Sequence, residues 1–358
     1  MEVPQLSSRP ARPGRVARSF ASIALLAAVV LPVAALAAAP SPPAPVVPAA
    51  PGPLTPLSVG LGYIPNVQFA PFYLAQQSGA YRAAGLDVTL MNQNDPELIT
   101  LIGQGHVDIG LGDGTSIITA RSQEIPVKYA AMIYADFPSV VVAKAGSGIT
   151  TAADLKGRKL GTPGRYGSGW IMLQALLSSA ALTPDDLTIT LYPDYGQETG
   201  LAQDQVEAIT GYLNNEPVQL QLQGMPVNIL TVDGIVPLPG PGLVVGEQTL
   251  AAKHDALTTF VAVTLDSMRQ IIADPQVGLD ATFAAVPDLA TAPDTQRAVL
   301  DATIAAWSNA YTDANGLGAI DPASWDRSVA FMTAMPDSPV AGTVVPADAF
   351  TTELLPAR

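Results

Sequence analysis

Gly164-Arg165-Tyr166-Gly167-Ser168-Gly169 has the glycine spacing of a loop whose backbone amides cradle phosphate. Trp170 and Ile171 stand where that chemistry needs a lysine for the phosphate and a hydroxyl for magnesium. Gly110 and Gly112 open a dinucleotide fingerprint, but Thr115 replaces its third glycine. No G-x-S-x-G motif is present. Asp313, Asn315, Gly318 and Asp321 loosely follow a calcium loop, with Leu317 and Ser324 at positions that should be ligands. The chain has no cysteine, which removes disulfides, thiolate metal sites, iron–sulfur clusters and cysteine nucleophiles together. It has two histidines, His106 and His254, too few for a His-rich metal site. His106, between a helix and a strand, reads as a surface or capping residue. No base–nucleophile pair is visible. The expectation is a protein with no cofactor, no metal and no covalent chemistry.

The polar and aromatic residues that recur where strands should end are more informative. In open α/β sheets, ligands bind at the carboxyl ends of the strands. Tyr63, Asn66, Gln68 and Phe69 follow the first candidate strand. Asn92, Gln93, Asn94 and Asp95 follow the second, and Asp113, Thr115 and Ser116 the third. Tyr134, Asp136 and Phe137 end a later one. In the second half, residues 164–170 open a helix whose free amides can donate to a ligand carbonyl or hydroxyl. Tyr192, Tyr195 and Gln197, then Tyr212, Asn214, Asn215 and Glu216, sit at further tips. Aromatics make up only 6% of the chain, yet these tips are rich in them. Rings that stack and amides that bond an edge suit a flat, largely neutral heterocycle.

The elements that must carry these tips alternate. Strands are expected at 57–62, 86–91, 107–111, 127–133 and 139–143, with helices at 70–77, 95–103 and 114–123. Asp95-Pro96 supplies a capping residue followed by proline at a helix start. Near residue 145 the rhythm restarts. Strands follow at 159–161, 187–191, 208–212 and 227–232, with helices at 168–180, 200–205 and 216–223. The stretch 242–246 can return the chain to the first lobe. Beyond Leu257 the pattern is helical: Phe260, Val263, Thr264, Ser267, Met268 and Ile271 share one face, and Val299, Leu300, Thr303, Ile304, Trp307 and Tyr311 another. Alternation of this kind predicts an α/β protein with largely parallel sheets.

Composition narrows the class further. The chain has 358 residues, of which 48% are hydrophobic and only 13% charged. Lys+Arg number 17 against 31 Asp+Glu, a formal charge of −14, so the basic footprint of a nucleic-acid binder is missing. Arg9, Arg12, Arg15 and Arg18 precede an apolar run at 20–39, and Ala35 and Ala37, or Ala37 and Ala39, fit small-residue cleavage sites. Residues 1–39 therefore read as a signal peptide or an uncleaved N-terminal membrane anchor. Ala39 stands where a lipoprotein signal has its cysteine, so lipidation is excluded. Residues 40–56 are proline-rich and read as a semi-rigid linker. The expected location is the periplasm or the outer face of the membrane.

The segments 62–75, 79–88, 105–110, 154–157 and 211–217 fall in an order that resembles substrate-binding proteins of bacterial ABC importers. The similarity spans roughly 57–275 and points to the branch that binds thiamine-pyrimidine precursors and riboflavin. It implies a type II periplasmic-binding-protein fold, two α/β lobes joined by crossover strands, with C-terminal helices. It places lobe 1 at 57–144 plus 242–358 and lobe 2 at 145–241. It implies ligand contacts from Asn66, Gln68, Asp113 and Thr115 in lobe 1, and from Tyr166, Trp170, Tyr212, Asn214 and Glu216 in lobe 2; Tyr134 and Tyr192, at their strand tips, are further candidate contacts. Glu216 would accept from a ligand amino or imide group, or cap the helix it begins. The related fungal pyrimidine synthases carry a cysteine-rich signature that is absent here. The implied function is capture of riboflavin by lobe closure and delivery to an ABC permease, by a monomer. A thiamine pyrimidine is the alternative ligand and a sulfonate a further one. A ligand-sensing receptor ectodomain is the alternative class.

Overall fold

Two five-stranded sheets organise the protein, each fed mainly by one half of the alternating pattern. The structure is a computed structural model describing residues 52–356, except Asp233, Gly234, Val236 and Pro237. The signal or anchor segment and most of the proline-rich linker lie outside the described residues.

The strands are β1 Thr55–Leu61, β2 Leu86–Asn92, β3 Ile109–Gly112, β4 Val127–Met132, β5 Ser139–Lys144, β6 Lys159–Thr162, β7 Thr188–Leu191, β8 Ala208–Tyr212, β9 Val227–Leu230 and β10 Gly242–Gly246. The helices are α1 Ala70–Gln77, α2 Ala80–Ala83, α3 Asp95–Gly103, α4 Gly114–Ser122, α5 Gly167–Ser179, α6 Gln197–Ala202, α7 Glu216–Leu222, α8 Glu247–Ala273, α9 Pro275–Ala285, α10 Pro293–Ala305, α11 Ala310–Asn315 and α12 Pro322–Ala334. The first sheet has the order β2-β1-β3-β10-β4 and the second β7-β6-β8-β5-β9.

The sheets are not uniformly parallel. β10 runs antiparallel to both β3 and β4, and β5 antiparallel to both β8 and β9. Each reversed strand is the one that arrives from the other lobe. The chain therefore crosses between β4 and β5, and returns before β10. This corrects the lobe boundary expected at residue 144: β5 pairs entirely within the second sheet. The linker also ends earlier than residue 56, because Thr55 and Pro56 pair with Leu86 and Asp87 in β1. Proline is tolerated there because β3 pairs only with Val59–Leu61, so no donor is missing on that side.

Each sheet is covered on both faces, as parallel strands require. On one face of the first sheet, Leu57, Val59 and Leu61 pack with Phe72, Phe260, Leu265 and Leu300 from α1, α8 and α10. On the other, Leu98, Ile102, Ile117 and Ile118 of α3 and α4 meet Tyr129 and Trp325. Close approach of α3 depends on Gly60: a Cβ there would lie 2.1 Å from Leu98 Cδ1. The second sheet is covered by α5 through Trp170, Leu173 and Leu177, and oppositely by α6 and α7 through Leu201 and Leu220. The exposed edge of β4 is paired by the C-terminal tail, where the Tyr129 amide donates to Ala349 O at 2.9 Å and the Thr351 amide to Tyr129 O at 2.8 Å. Among the described residues, no helix is long and apolar enough to cross a membrane.

Candidate functional site

A cleft lies between the carboxyl ends of the two sheets. Its lobe 1 wall is built by Gly62 and Tyr63 after β1, Gln68 and Phe69, Asp95, Gly112 and Asp113 after β3, and Tyr134 after β4. Its lobe 2 wall is built by Thr162 and Pro163 after β6, Tyr166 to Gly169 at the start of α5, Tyr195, Gln197, Tyr212, Asn215 and Glu216. The enclosed volume is about 110 Å³. Five of the chain's ten tyrosines meet here.

The start of α3 sets the geometry. Asp95, in its first turn, accepts the Asp113 amide at 2.7 Å and the Ser116 hydroxyl at 2.5 Å. That holds Asp113 at the mouth of α4. The Asp113 carboxylate then crosses the cleft. Its Oδ2 accepts the Ser168 amide at 2.9 Å, in the first turn of α5. Its Oδ1 accepts the Tyr212 hydroxyl at 2.5 Å. Ser168 Oγ lies 2.9 Å from both Ser139 Oγ and the Tyr212 hydroxyl. Gly167, just before, has φ +66, and a Cβ on it would stand 3.2 Å from Asp113 Oδ2. Burial, with the Asp113 charge adding to it, holds the Asp95 carboxyl well above the usual range. Burial and the same neighbouring charge keep the Tyr212 phenol protonated, as a donor to Asp113 must be.

Glu216 opens α7 and is buried. Its Oε2 accepts the Tyr212 amide at 2.8 Å, and Gln197 Nε2 donates to Oε1 at 3.4 Å. Burial pushes its carboxyl up to about 7, despite the hydrogen bonds that favour the charged form. Both its oxygens thus serve the protein, while the buried Gln197 Oε1 has no partner among the described residues. Opposite, the Tyr134 hydroxyl donates to Gln68 Oε1 at 2.8 Å. Tyr195 holds a left-handed backbone, φ +61, which is strained for a bulky residue. The side chain so delivered packs edge-on to Tyr63, with ring centroids 4.6 Å apart, and donates to Asn94 Oδ1 at 3.1 Å. Beyond this pair lies a second cavity. It shares Tyr63, Tyr195, Asn215 and Glu216, and adds Asn66, Glu198, Gln219 and Gln296.

Of the residues expected at the ligand, the structure brings Gln68, Asp113, Tyr134, Tyr166, Tyr212 and Glu216 into the cleft. It places five elsewhere. Asn66 caps the 3-10 turn Val67–Phe69 and faces the second cavity. Thr115 is buried on α4 outside the cleft wall. Trp170 packs in the core behind α5, with the Arg165 guanidinium 5.2 Å from its ring. Tyr192 lies against Gly161 and Gly200 and reaches Gln205. Asn214 donates to Thr303 Oγ1 at 2.8 Å, tying lobe 2 to α10. Tyr63, Asp95, Ser168, Tyr195, Gln197 and Asn215, which the sequence marks at strand tips but not among the expected contacts, also line the cleft. Helix α6 also starts at Gln197, three residues before the expected 200, which is why Gln197 faces inward. Among the described residues, no cluster of three or more His, Cys, Asp or Glu side chains is placed to hold a metal.

Two α/β lobes, one reversed strand in each sheet and a cleft at the strand ends define a ligand-binding protein of the type II periplasmic class. The chain belongs to the NMT1/THI5-like family, whose model matches residues 66–277. It is similar to the riboflavin-binding protein RibY of Chloroflexus aurantiacus, 31% identical over 307 residues, covering 85% of this chain and 87% of that one. A 120-residue stretch is 33% identical to 4-amino-5-hydroxymethyl-2-methylpyrimidine phosphate synthase of Schizosaccharomyces pombe, covering 33% of this chain and 34% of that one. Among solved structures, the alkanesulfonate-binding protein SsuA from Xanthomonas axonopodis pv. citri, bound to MOPS, shares the fold with a TM-score of 0.67 at 16% identity, covering 84% of this chain and 99% of that one.

Proposed function

We propose that this protein is the extracytoplasmic substrate-binding component of an ABC importer, capturing riboflavin between its lobes and delivering it to a membrane permease. The observation that carries the reading is the meeting of Tyr63, Tyr134, Tyr166, Tyr195 and Tyr212 in one cleft with Gln68, Gln197, Asn215 and Glu216 between them. Tyrosine faces stack on an isoalloxazine, and the amides bond its carbonyl and imide edge. Gln197 Oε1, buried without a partner, is an acceptor suited to the imide N–H. The second cavity, past Tyr63 and Tyr195, offers Asn66, Gln219 and Gln296 to a polyhydroxyl chain. The similarity to RibY over most of both chains supports the same ligand.

The mechanism is binding and closure. At about 110 Å³ the cleft is smaller than the roughly 300–1,000 Å³ typical of pockets for ligands of this size. A tricyclic ring therefore enters when the Asp113 bonds to Ser168 and Tyr212 part, and the lobes close again on it. Among the described residues no Cys, Lys or His lines the cleft, which supports a binding protein over an enzyme. The protein acts as a monomer, exported by its N-terminal segment or held by it at the outer membrane face.

The small enclosed volume favours one alternative ligand, a single-ring thiamine pyrimidine, in the same role. A receptor ectodomain would use the same closure to signal. Protein purified from a riboflavin-containing host should carry a flavin spectrum with quenched emission. Emptied protein should quench added riboflavin at micromolar concentration. Unchanged riboflavin emission, with binding of an aminopyrimidine instead, overturns the ligand while leaving the two-lobed binder.

A further inference from the structure

The first turn of α5 points its amides into the cleft, the electrostatic setting in which helix N-termini hold anions. In this protein the place is taken by the chain itself. Asp113 Oδ2 accepts the Ser168 amide there at 2.9 Å, while Oδ1 accepts from Tyr212. Asp113 is buried and is held by the Asp95 contact to its own amide, so it is a built feature of lobe 1. Asp95 and Glu216 also line the cleft, and among the described residues no Lys, Arg or His does. Arg165, in the loop before α5, stacks its guanidinium over Trp170 and does not line the cleft.

We propose that Asp113 sets ligand charge, so that the cleft takes neutral or cationic heterocycles and rejects ligands bearing a phosphate or sulfonate. A second anion at α5 would have to displace the carboxylate in a low-dielectric site where, among the described residues, no cation lines the cleft to offset it. The fold shared with a sulfonate-binding protein therefore does not carry over its ligand charge. The inference rests on the reading of this cleft as the binding site; its test uses anions alone and does not depend on riboflavin being the ligand.

The full chain and its Asp113→Asn variant are titrated with MOPS and with phenyl phosphate, following melting temperature. The wild type should show no stabilisation by either anion. Asp113→Asn keeps the shape and removes the charge, so at least one of the two anions should stabilise the variant. Wild-type protein that is stabilised by either anion overturns the proposal. A folded variant that stays inert to both overturns the assignment to Asp113.

Discussion

Asp113 Oδ2 and the Ser168 amide meet at 2.9 Å although they lie 55 positions apart and in different lobes. The contact joins the N-terminus of α4 in lobe 1 to that of α5 in lobe 2. Both helices follow strand tips, so the bond spans the place where a ligand would lie. Under the proposed capture by lobe closure, this bond would have to break for the cleft to open.

Tyr212→Phe removes the second partner of the Asp113 carboxylate and the hydroxyl beside Ser168 Oγ. Hydrogen bonds to charged groups contribute about 1.5–3 kcal/mol each. Stability in a denaturant titration should fall by about that amount. Unchanged stability would mean that the bridge is not populated in solution.

The backbone at Tyr195 sits in the left-handed region, where asparagine is more at ease than a bulky residue. Tyr195→Asn relieves that strain and discards the contacts to Tyr63 and Asn94. Stability should change by less than about 1 kcal/mol, because the two effects oppose. Riboflavin affinity should fall about tenfold or more, because a stacking ring is lost. A variant that loses stability heavily and keeps its affinity would make Tyr195 a structural residue only.

Glu216 has its carboxyl raised to about 7 in the folded protein, against an ordinary 4.5. Between these values the unfolded chain has lost the proton and the folded chain keeps it. Stability from this group is therefore full below pH 4.5 and is lost as pH rises through 7. The loss is roughly 3 kcal/mol at full burial. Melting temperature of the wild type should drop across this window more than that of Glu216→Gln, which cannot ionise. Parallel curves for the two proteins would refute the raised value.

If the second cavity holds a polyhydroxyl chain, removing that chain should cost affinity. Lumiflavin, with the ring and a methyl group in place of ribityl, should bind about tenfold more weakly than riboflavin. Equal affinity would leave Asn66, Gln219 and Gln296 without a part in binding.

Much of the fold is legible locally. α1 and α3 span the residues their patterns mark, because proline near each start and the apolar spacing agree. β8 and β10 likewise match their apolar runs. The reversal of β5 and β10 is not legible, since it depends on which distant strands they pair with. Site residues divide on the same principle. Tyr63, Tyr195 and Tyr212 are marked by standing at strand tips. Trp170 lies off the cleft wall because a helix turns about 100° per residue, so two positions past Ser168 it faces the core. Tyr192 lies off the cleft wall because Gly161 and Gly200, distant in sequence, leave the space that its ring fills.

Calorimetric titration of the purified chain with riboflavin tests the central claim most directly. The account predicts one riboflavin per chain, with a dissociation constant in the micromolar range or tighter, and a marked loss of affinity in Tyr63→Ala. Absence of heat and of competition, in protein that still binds an aminopyrimidine or a sulfonate, would contradict it.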